Sequence, residues 1–292
     1  MTKKALLVGI NYPGTSHALN GCVNDVVFMS GILKKHYNFK NKEVRMVTDE
    51  SATTENILTR LNWLVKDAKA GDILYFHYSG HGAQMIDTKY DDDTEPDGKD
   101  EIICPVDLNW RDKVIKDDQL KAVFDKVPDG VSLTVMLDCC HSGSGMDGSH
   151  SYQPLGEGQA TDFELQSVKD PILEPNSPEK NRYLPMPADI ASRGIDLPVR
   201  ERSLSSISKD SESTGLLISG CQSDQTSADA YINRKYQGAA TYFLGAALKK
   251  YNYDVDHKTI VEFMNNKLSK SGYTQRPELN GTKSLFGQKF LG

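Results

Sequence analysis

Two short segments set reactive side chains between glycines: Tyr78-Ser79-Gly80-His81-Gly82 and Asp138-Cys139-Cys140-His141-Ser142-Gly143. A thiol and an imidazole held together are the minimum for nucleophilic catalysis by cysteine. His81 would raise the thiolate fraction of Cys140 and then protonate the leaving amine. Backbone N–H groups of Gly82 and Cys140 are candidates for holding the tetrahedral oxyanion, and one such donor is typically worth about 10²–10³ in rate. Glycine lacks a Cβ, so both loops can turn sharply and approach a ligand closely. Successive residues on a strand point to opposite faces, so only one of Cys139 and Cys140 can face His81. Position in the motif favours Cys140. A zinc site built from Cys139, Cys140, His141 and His81 fits poorly, because adjacent cysteines chelate badly and no C-x₂₋₄-C spacing is present. A dithiol redox centre fails similarly, since vicinal cysteines form strained disulfides and C-x-x-C is absent. Cys22, Cys104 and Cys221 read individually as small core hydrophobes.

Both motifs need a scaffold that brings them together. Apolar runs at Ala5–Ile10, Val44–Val47, Ile73–Tyr78, Ile102–Val106, Leu133–Leu137 and Leu216–Ser219 read as strands, with a last one at Ser284–Leu291. Helical spacing begins at Val23 and recurs from Thr54 to Gly71, around Leu120–Phe124, and at Ala239–Leu248 and Ile260–Leu268. Alternation of strand and helix predicts an α/β fold with a mostly parallel sheet covered on both faces. The third strand runs into His81 and the fourth main strand into Cys140. In such a sheet the carboxyl ends of strands share one edge, where ligand sites form.

Composition divides the chain into a large block (1–148), a linker (149–213) and a small block (214–292) that completes the same domain. The linker holds seven of the twelve prolines and eleven serines, with no sustained apolar period, as expected of a mobile surface insertion. The net charge of −6 is opposite to that of a typical nucleic-acid binder. No apolar run reaches the roughly 20 residues of a membrane span, and Ala5–Ile10 is too short for a secretory signal. Five widely spread cysteines fit a reducing, cytoplasmic setting better than a disulfide framework.

The two motifs resemble the signature pair of the metacaspases, in the caspase-like clan of cysteine peptidases. Ala5-Leu-Leu-Val-Gly-Ile-Asn-Tyr-Pro-Gly14, Gly21-Cys22-Val23-Asn24-Asp25 and the segment from Ser219 to Asp229 resemble the same family. The resemblance covers roughly residues 3–148 and 214–292, and looks like a bare catalytic unit without a Pro-rich or zinc-finger prodomain. It implies a caspase-like three-layer sandwich around a mostly parallel sheet of six or more strands. It also implies a monomer and an endopeptidase cutting after Arg or Lys. Matching S1 positions are Cys22, Asp25, Ser79 and Asp138, with Asp224 as a further candidate. Carboxylates beside a deep slot would select a guanidinium by bidentate bonding and a lysine ammonium as a point charge. The bland alternative for each aspartate is a helix cap or turn residue.

The acidic stretch Asp91–Glu101, followed by Asp117-Asp118 and Asp147, has no EF-hand pattern. The resemblance implies a Ca²⁺ activator held by Asp100, Asp117, Asp118 and Asp147, whereas the run Asp91–Asp93 reads as a solvated face. Lys169, Lys180, Arg182, Arg193, Arg200, Arg202 and Lys209 punctuate the linker. An Arg/Lys-directed peptidase would meet them at high effective concentration, so the chain is expected to be a zymogen that cleaves itself there. Two other readings stay open: a linker that plugs the site uncut, and an idle caspase-like scaffold that binds calcium or protein partners.

Overall fold

The structure, a computed structural model, describes residues 1–86, 99–140, 179–187, 190, 215–222 and 225–292. Its first half runs β1 (Lys3–Gly9), α1 (Cys22–His36), β2 (Val44–Thr48), α2 (Thr54–Val65), β3 (Ile73–Ser79), β4 (Gly82–Ile86), β5 (Lys99–Ile103), β6 (Ile115–Lys116), α3 (Asp117–Phe124) and β7 (Ser132–Asp138). Then follow β8 (Lys180–Asn181), β9 (Gly215–Ser219), β10 (Ala228–Ile232), β11 (Lys235–Gly238), α4 (Ala239–Lys250), α5 (His257–Lys270) and β12 (Glu278–Gly281).

Six strands form the central sheet in the order β12-β9-β7-β3-β1-β2, all parallel except the edge strand β12. Each inner strand is apolar on both faces. Leu6 and Val8, Leu74 and Phe76, and Leu133 and Val135 face one core with the buried side chains of α2 and α3. Ala5 and Leu7, Ile73 and Tyr75, and Met136 face a second core with α1, α4 and α5. The period of two explains why the strands read as continuous apolar runs: a parallel sheet buries both sides. The result is the expected three-layer α/β sandwich, with both sequence blocks contributing strands.

Three expectations change. The segment near residue 102 is Lys99–Ile103, and it belongs to a separate small sheet, β4-β5-β6. The expected strand Ser284–Leu291 is not one. Lys283–Leu285 forms a 3₁₀ turn, Phe290 and Leu291 plug the second core, and the carbonyls of Phe286 and Gln288 accept the N–H groups of Lys258 and His257 at the start of α5. That tail is apolar because it caps a core and a helix end. Finally, residues 179–187 of the presumed loose linker are tied to the domain, and β8 pairs antiparallel with β10. No helix among the described residues is long and apolar enough to cross a membrane.

Candidate active site

Register brings the two motifs side by side. Ser79 at the end of β3 lies opposite Asp138 at the end of β7, and His81 and Cys140 follow on the same rim. The alternation along β7 sends Cys139 into the first core and leaves Cys140 outside both cores. The start of α1 is seated on this rim. A Cβ on Gly9 would collide with the Cys22 carbonyl, so glycine permits the close approach. Asn11 Oδ1 accepts the Cys22 N–H at 2.9 Å, meeting one of the unpaired donors of the first turn. Asp25, on that turn, thereby points into the space beside Ser79.

That space holds the side chain of Arg182, which is fully buried. Its Nη2 donates to Asp25 Oδ2 at 2.9 Å and to Asp229 Oδ1 at 3.0 Å. Its Nη1 donates to Ser79 Oγ at 2.8 Å and lies 3.2 Å from Asp138 Oδ1. The carboxylates are themselves fixed. Asp229 accepts the N–H groups of Asn20 and Gly21, and Asp25 accepts the Ser79 hydroxyl and the Gly238 N–H. Asp138 accepts Ser227 Oγ at 2.6 Å and both the hydroxyl and N–H of Thr241 at the start of α4. Gly238 leaves the room: a Cβ there would overlap Asp138 and the Arg182 guanidinium. Burial pushes Asp25 up to about 7, despite the nearby guanidinium. Burial also acts upward on Asp138, but Arg182, Ser227 and Thr241 together outweigh it and hold that carboxyl below its usual value.

The backbone around Arg182 is bound as an extended strand. Asn181 and Lys180 pair with Ala228 and Asp229, and the Arg182 N–H donates to the Ser227 carbonyl at 3.1 Å. Beyond Arg182 the chain switches partner. Gly82 donates its N–H to the Arg182 carbonyl at 2.9 Å and accepts the Leu184 N–H at 2.9 Å. The peptide bond between Arg182 and Tyr183 therefore crosses the rim between the two motifs. Cys140 Sγ donates to Asn181 Oδ1 at 3.2 Å and accepts the Ser227 N–H at 2.6 Å, which fixes the sulfur beside this segment.

His81 lies on the other side of the same segment. Its Nε2 is 2.7 Å from the His17 carbonyl, which can only accept, so Nε2 carries the hydrogen. Nδ1 keeps its lone pair, is buried, and has no hydrogen-bond partner among the described residues. Burial lowers the imidazole to about 4, against the opposing pull of the His17 and Arg182 carbonyls. Two tyrosines clamp this histidine. Tyr12 accepts the His81 N–H at 2.9 Å and packs its ring 4.7 Å from the imidazole, while the Tyr78 hydroxyl donates to the His81 carbonyl at 2.7 Å. The arrangement can supply a neutral base, a sulfur nucleophile, one oxyanion donor and a cation pocket around one peptide bond.

Of the residues expected in this pocket, Asp25, Ser79 and Asp138 converge on Arg182, and Cys22 is buried beside them with its thiol pushed well up by burial. Asp224 lies outside the described residues, and the third carboxylate is Asp229. Asp229 stands in the segment already singled out from Ser219 onward, but nothing in its spacing separates it from Asp224. Tyr12 and Ser227 stand in segments already singled out, His17 and Thr241 do not, and all four act through backbone or hydroxyl contacts that spacing does not announce. Asp91–Asp93 and Asp147 also lie outside the described residues. Asp100 and Asp117 are buried and Asp118 is exposed, with the Lys116 ammonium bound to Asp100. Among the described residues, no three potential ligands converge into a metal-binding group.

Among solved structures, protein GSU0716 from Geobacter sulfurreducens superposes with a TM-score of 0.64 at 23% identity, covering 99% of this chain and 98% of that one. Caspase-1 from Spodoptera frugiperda superposes at 0.51 and 14% identity, over 96% and 86% of the two chains. At those identities the likeness is one of fold, and it defines this α/β sandwich as caspase-like. A sequence profile of the metacaspase, peptidase C14 domain matches residues 3–149. The chain is 35% identical to Metacaspase-1 of Meyerozyma guilliermondii, over 96% of its own length and 69% of the relative's. It is 34% identical to Metacaspase-1B of Neurospora crassa, over 97% and 67%. The chain belongs to the metacaspase family of cysteine peptidases.

Proposed function

We propose that this chain cleaves peptide bonds after arginine or lysine, with Cys140 as nucleophile and His81 as proton carrier. Its first substrate is its own bond between Arg182 and Tyr183. One observation carries the reading: a linker arginine is bound among three carboxylates while its carbonyl rests on the Gly82 N–H. In the reaction the Cys140 thiol gives its proton to His81 Nδ1, and the sulfur attacks the Arg182 carbonyl carbon. Gly82, with the Cys140 N–H, holds the oxyanion. The C–N bond then breaks as His81 returns the proton to the Tyr183 nitrogen. Water, deprotonated by His81, hydrolyses the thioester and frees the Arg182 carboxylate and the thiol. Until that cut, the buried Arg182 blocks the pocket against other substrates, which makes the uncut chain a zymogen.

Calcium activation is part of the same reading. Asp100, Asp117 and Asp118, together with Asp147, would hold the ion. Asp100 and Asp117 are buried, Asp118 is exposed, and carboxylate oxygens are the ligands that calcium prefers. Bound there, Ca²⁺ would supply charge neutralisation to these carboxylates. Five free thiols fit work in a reducing cytoplasm. The test is incubation of wild type, Cys140→Ala and His81→Ala with and without calcium, followed by N-terminal sequencing and hydrolysis of an Arg-aminocoumarin reporter. Wild type should yield a fragment beginning at Tyr183 and hydrolyse the reporter, and neither variant should do either. A wild-type chain inert to its own linker and to the reporter would favour an idle scaffold.

A further inference from the structure

We propose that the groove has a second specificity pocket on the leaving-group side, which takes an aliphatic side chain two residues after the cut. The inference rests on the reading of Arg182 as the bound residue before the cut. Within residues 179–187 only Arg182 and Leu184 are buried; Glu179, Asn181, Pro185 and Pro187 are exposed. Alternate residues of an extended strand share a side, so these two are the anchors of one bound segment. Arg182 is held by charge. Leu184 is held by apolar packing, in the same cluster as Ala83, Ile102, Ile103 and Ile115 from the small sheet β4-β5-β6.

The backbone fixes the register of this second anchor. Tyr183 bridges Gly82 in parallel, and Gly82 uses its N–H on the residue before the cut and its carbonyl on the residue two after it. One glycine at the start of β4 thus spans the scissile bond, and the leucine falls beside the strand that follows. A substrate whose second residue after the cut is charged would have to desolvate that charge against an apolar wall.

The linker sequence makes the pocket discriminating. Aliphatic residues stand two positions after Arg182 (Leu184), Arg193 (Ile195) and Arg202 (Leu204). The corresponding positions after Lys169, Lys180, Arg200 and Lys209 are Pro171, Arg182, Arg202 and Ser211. The pocket therefore separates three of the seven basic linker residues from the other four.

The test uses the wild-type full chain and internally quenched peptides spanning residues 179–187, differing only at the position of Leu184: leucine, isoleucine, serine or aspartate. A peptide with alanine in place of Arg182 serves as the control for the first pocket. Leucine and isoleucine peptides should be cut with kcat/KM about 10–100-fold above serine, the range expected for burying one aliphatic side chain, and aspartate should be poorest. Equal rates for all four arginine peptides, with the alanine control uncut, would overturn the second pocket and leave the arginine preference standing. Failure to cut even the leucine peptide would remove both.

Discussion

Two acidic regions of this protein differ in how they deal with crowded carboxylates. Around Arg182, three aspartates from distant parts of the sequence share one buried guanidinium, and each is oriented by N–H or hydroxyl donors. Around residues 100–118 the acids are close in sequence, and the Lys116 ammonium lies on Asp100. The first region is a closed cluster whose cation belongs to the chain's own segment 179–187. In the second, a lysine of the same short stretch lies on one of the acids. Density of acidic residues along a sequence is therefore a poor guide to which carboxylates bind a substrate. What matters is which strand ends and helix starts carry them to one point.

The strongest way to break this contrast is at Asp138, where α4 and Ser227 hold the carboxylate in its charged form. Asp138→Ala should lower kcat/KM for arginine peptides about 10³-fold, since removing one partner of a buried, hydrogen-bonded ion pair costs roughly 2–5 kcal/mol or more. Far-UV circular dichroism should show the fold retained. A loss below tenfold would mean that the pocket does not select the cation through this carboxylate.

A smaller effect is expected at Arg182. Arg182→Lys keeps the charge but loses the planar fork that reaches Asp25, Asp229 and Ser79 together. Appearance of the Tyr183 N-terminus should slow about tenfold in Arg182→Lys and cease in Arg182→Ala, measured by mass spectrometry of timed digests. Unaltered processing in Arg182→Ala would show that another linker site is cut first.

Acidity probes the same pocket more gently. Asp25 sits near 7 because of burial, so it is a carboxylate above that pH and becomes neutral as pH falls. Acidification through 7 should neutralise one partner of the bound Arg182 guanidinium, and the rate at which the Tyr183 N-terminus appears should fall a few-fold toward a lower plateau. His81, at about 4, titrates too low to produce that limb. Asp25→Asn should flatten the profile between pH 6 and 8, at a lower overall rate (bounds set at about one unit either side of the carboxyl). A limb that survives in Asp25→Asn belongs to another group.

These differences also explain what could be read without coordinates. The alternating apolar strands and the two glycine-flanked motifs follow from local rules, so the parallel sheet and the shared rim of His81 and Cys140 were legible. Asp25, Ser79 and Asp138 were legible through motif resemblance, since each stands within or near a marked segment. Asp229 was not, because its role depends on the β10 pairing that aims it at Gly21 and Arg182. Arg182 was one of seven equivalent basic residues until the pairing of β8 and the hydrogen bonds of Gly82 singled it out. The apolar tail at Phe290 misled because capping a core and filling a strand call for the same residue types. His17 holds His81 through a carbonyl, which every residue type carries, with its ring set edge-on 6.5 Å away.

The second acidic region offers a test of its own. Lys116 is partly exposed and its ammonium already lies on Asp100, one of the carboxylates expected to hold calcium. A tethered cation competes with a free one for the same oxygens. Replacing it by Lys116→Met keeps the aliphatic stem and removes the charge, so the lysine no longer competes with a metal for Asp100. Asp100 is buried and Lys116 only partly exposed, so the pair is worth at least the about 1 kcal/mol at the upper end for exposed pairs, which corresponds to a gain in calcium affinity of roughly fivefold or more. Calcium titrations followed by melting temperature should therefore shift to lower concentration in Lys116→Met. The Asp100→Asn variant should shift them to higher concentration. If both variants titrate like the wild type, Asp100 does not bind the ion, and the buried acids of β5 and α3 serve the fold rather than calcium.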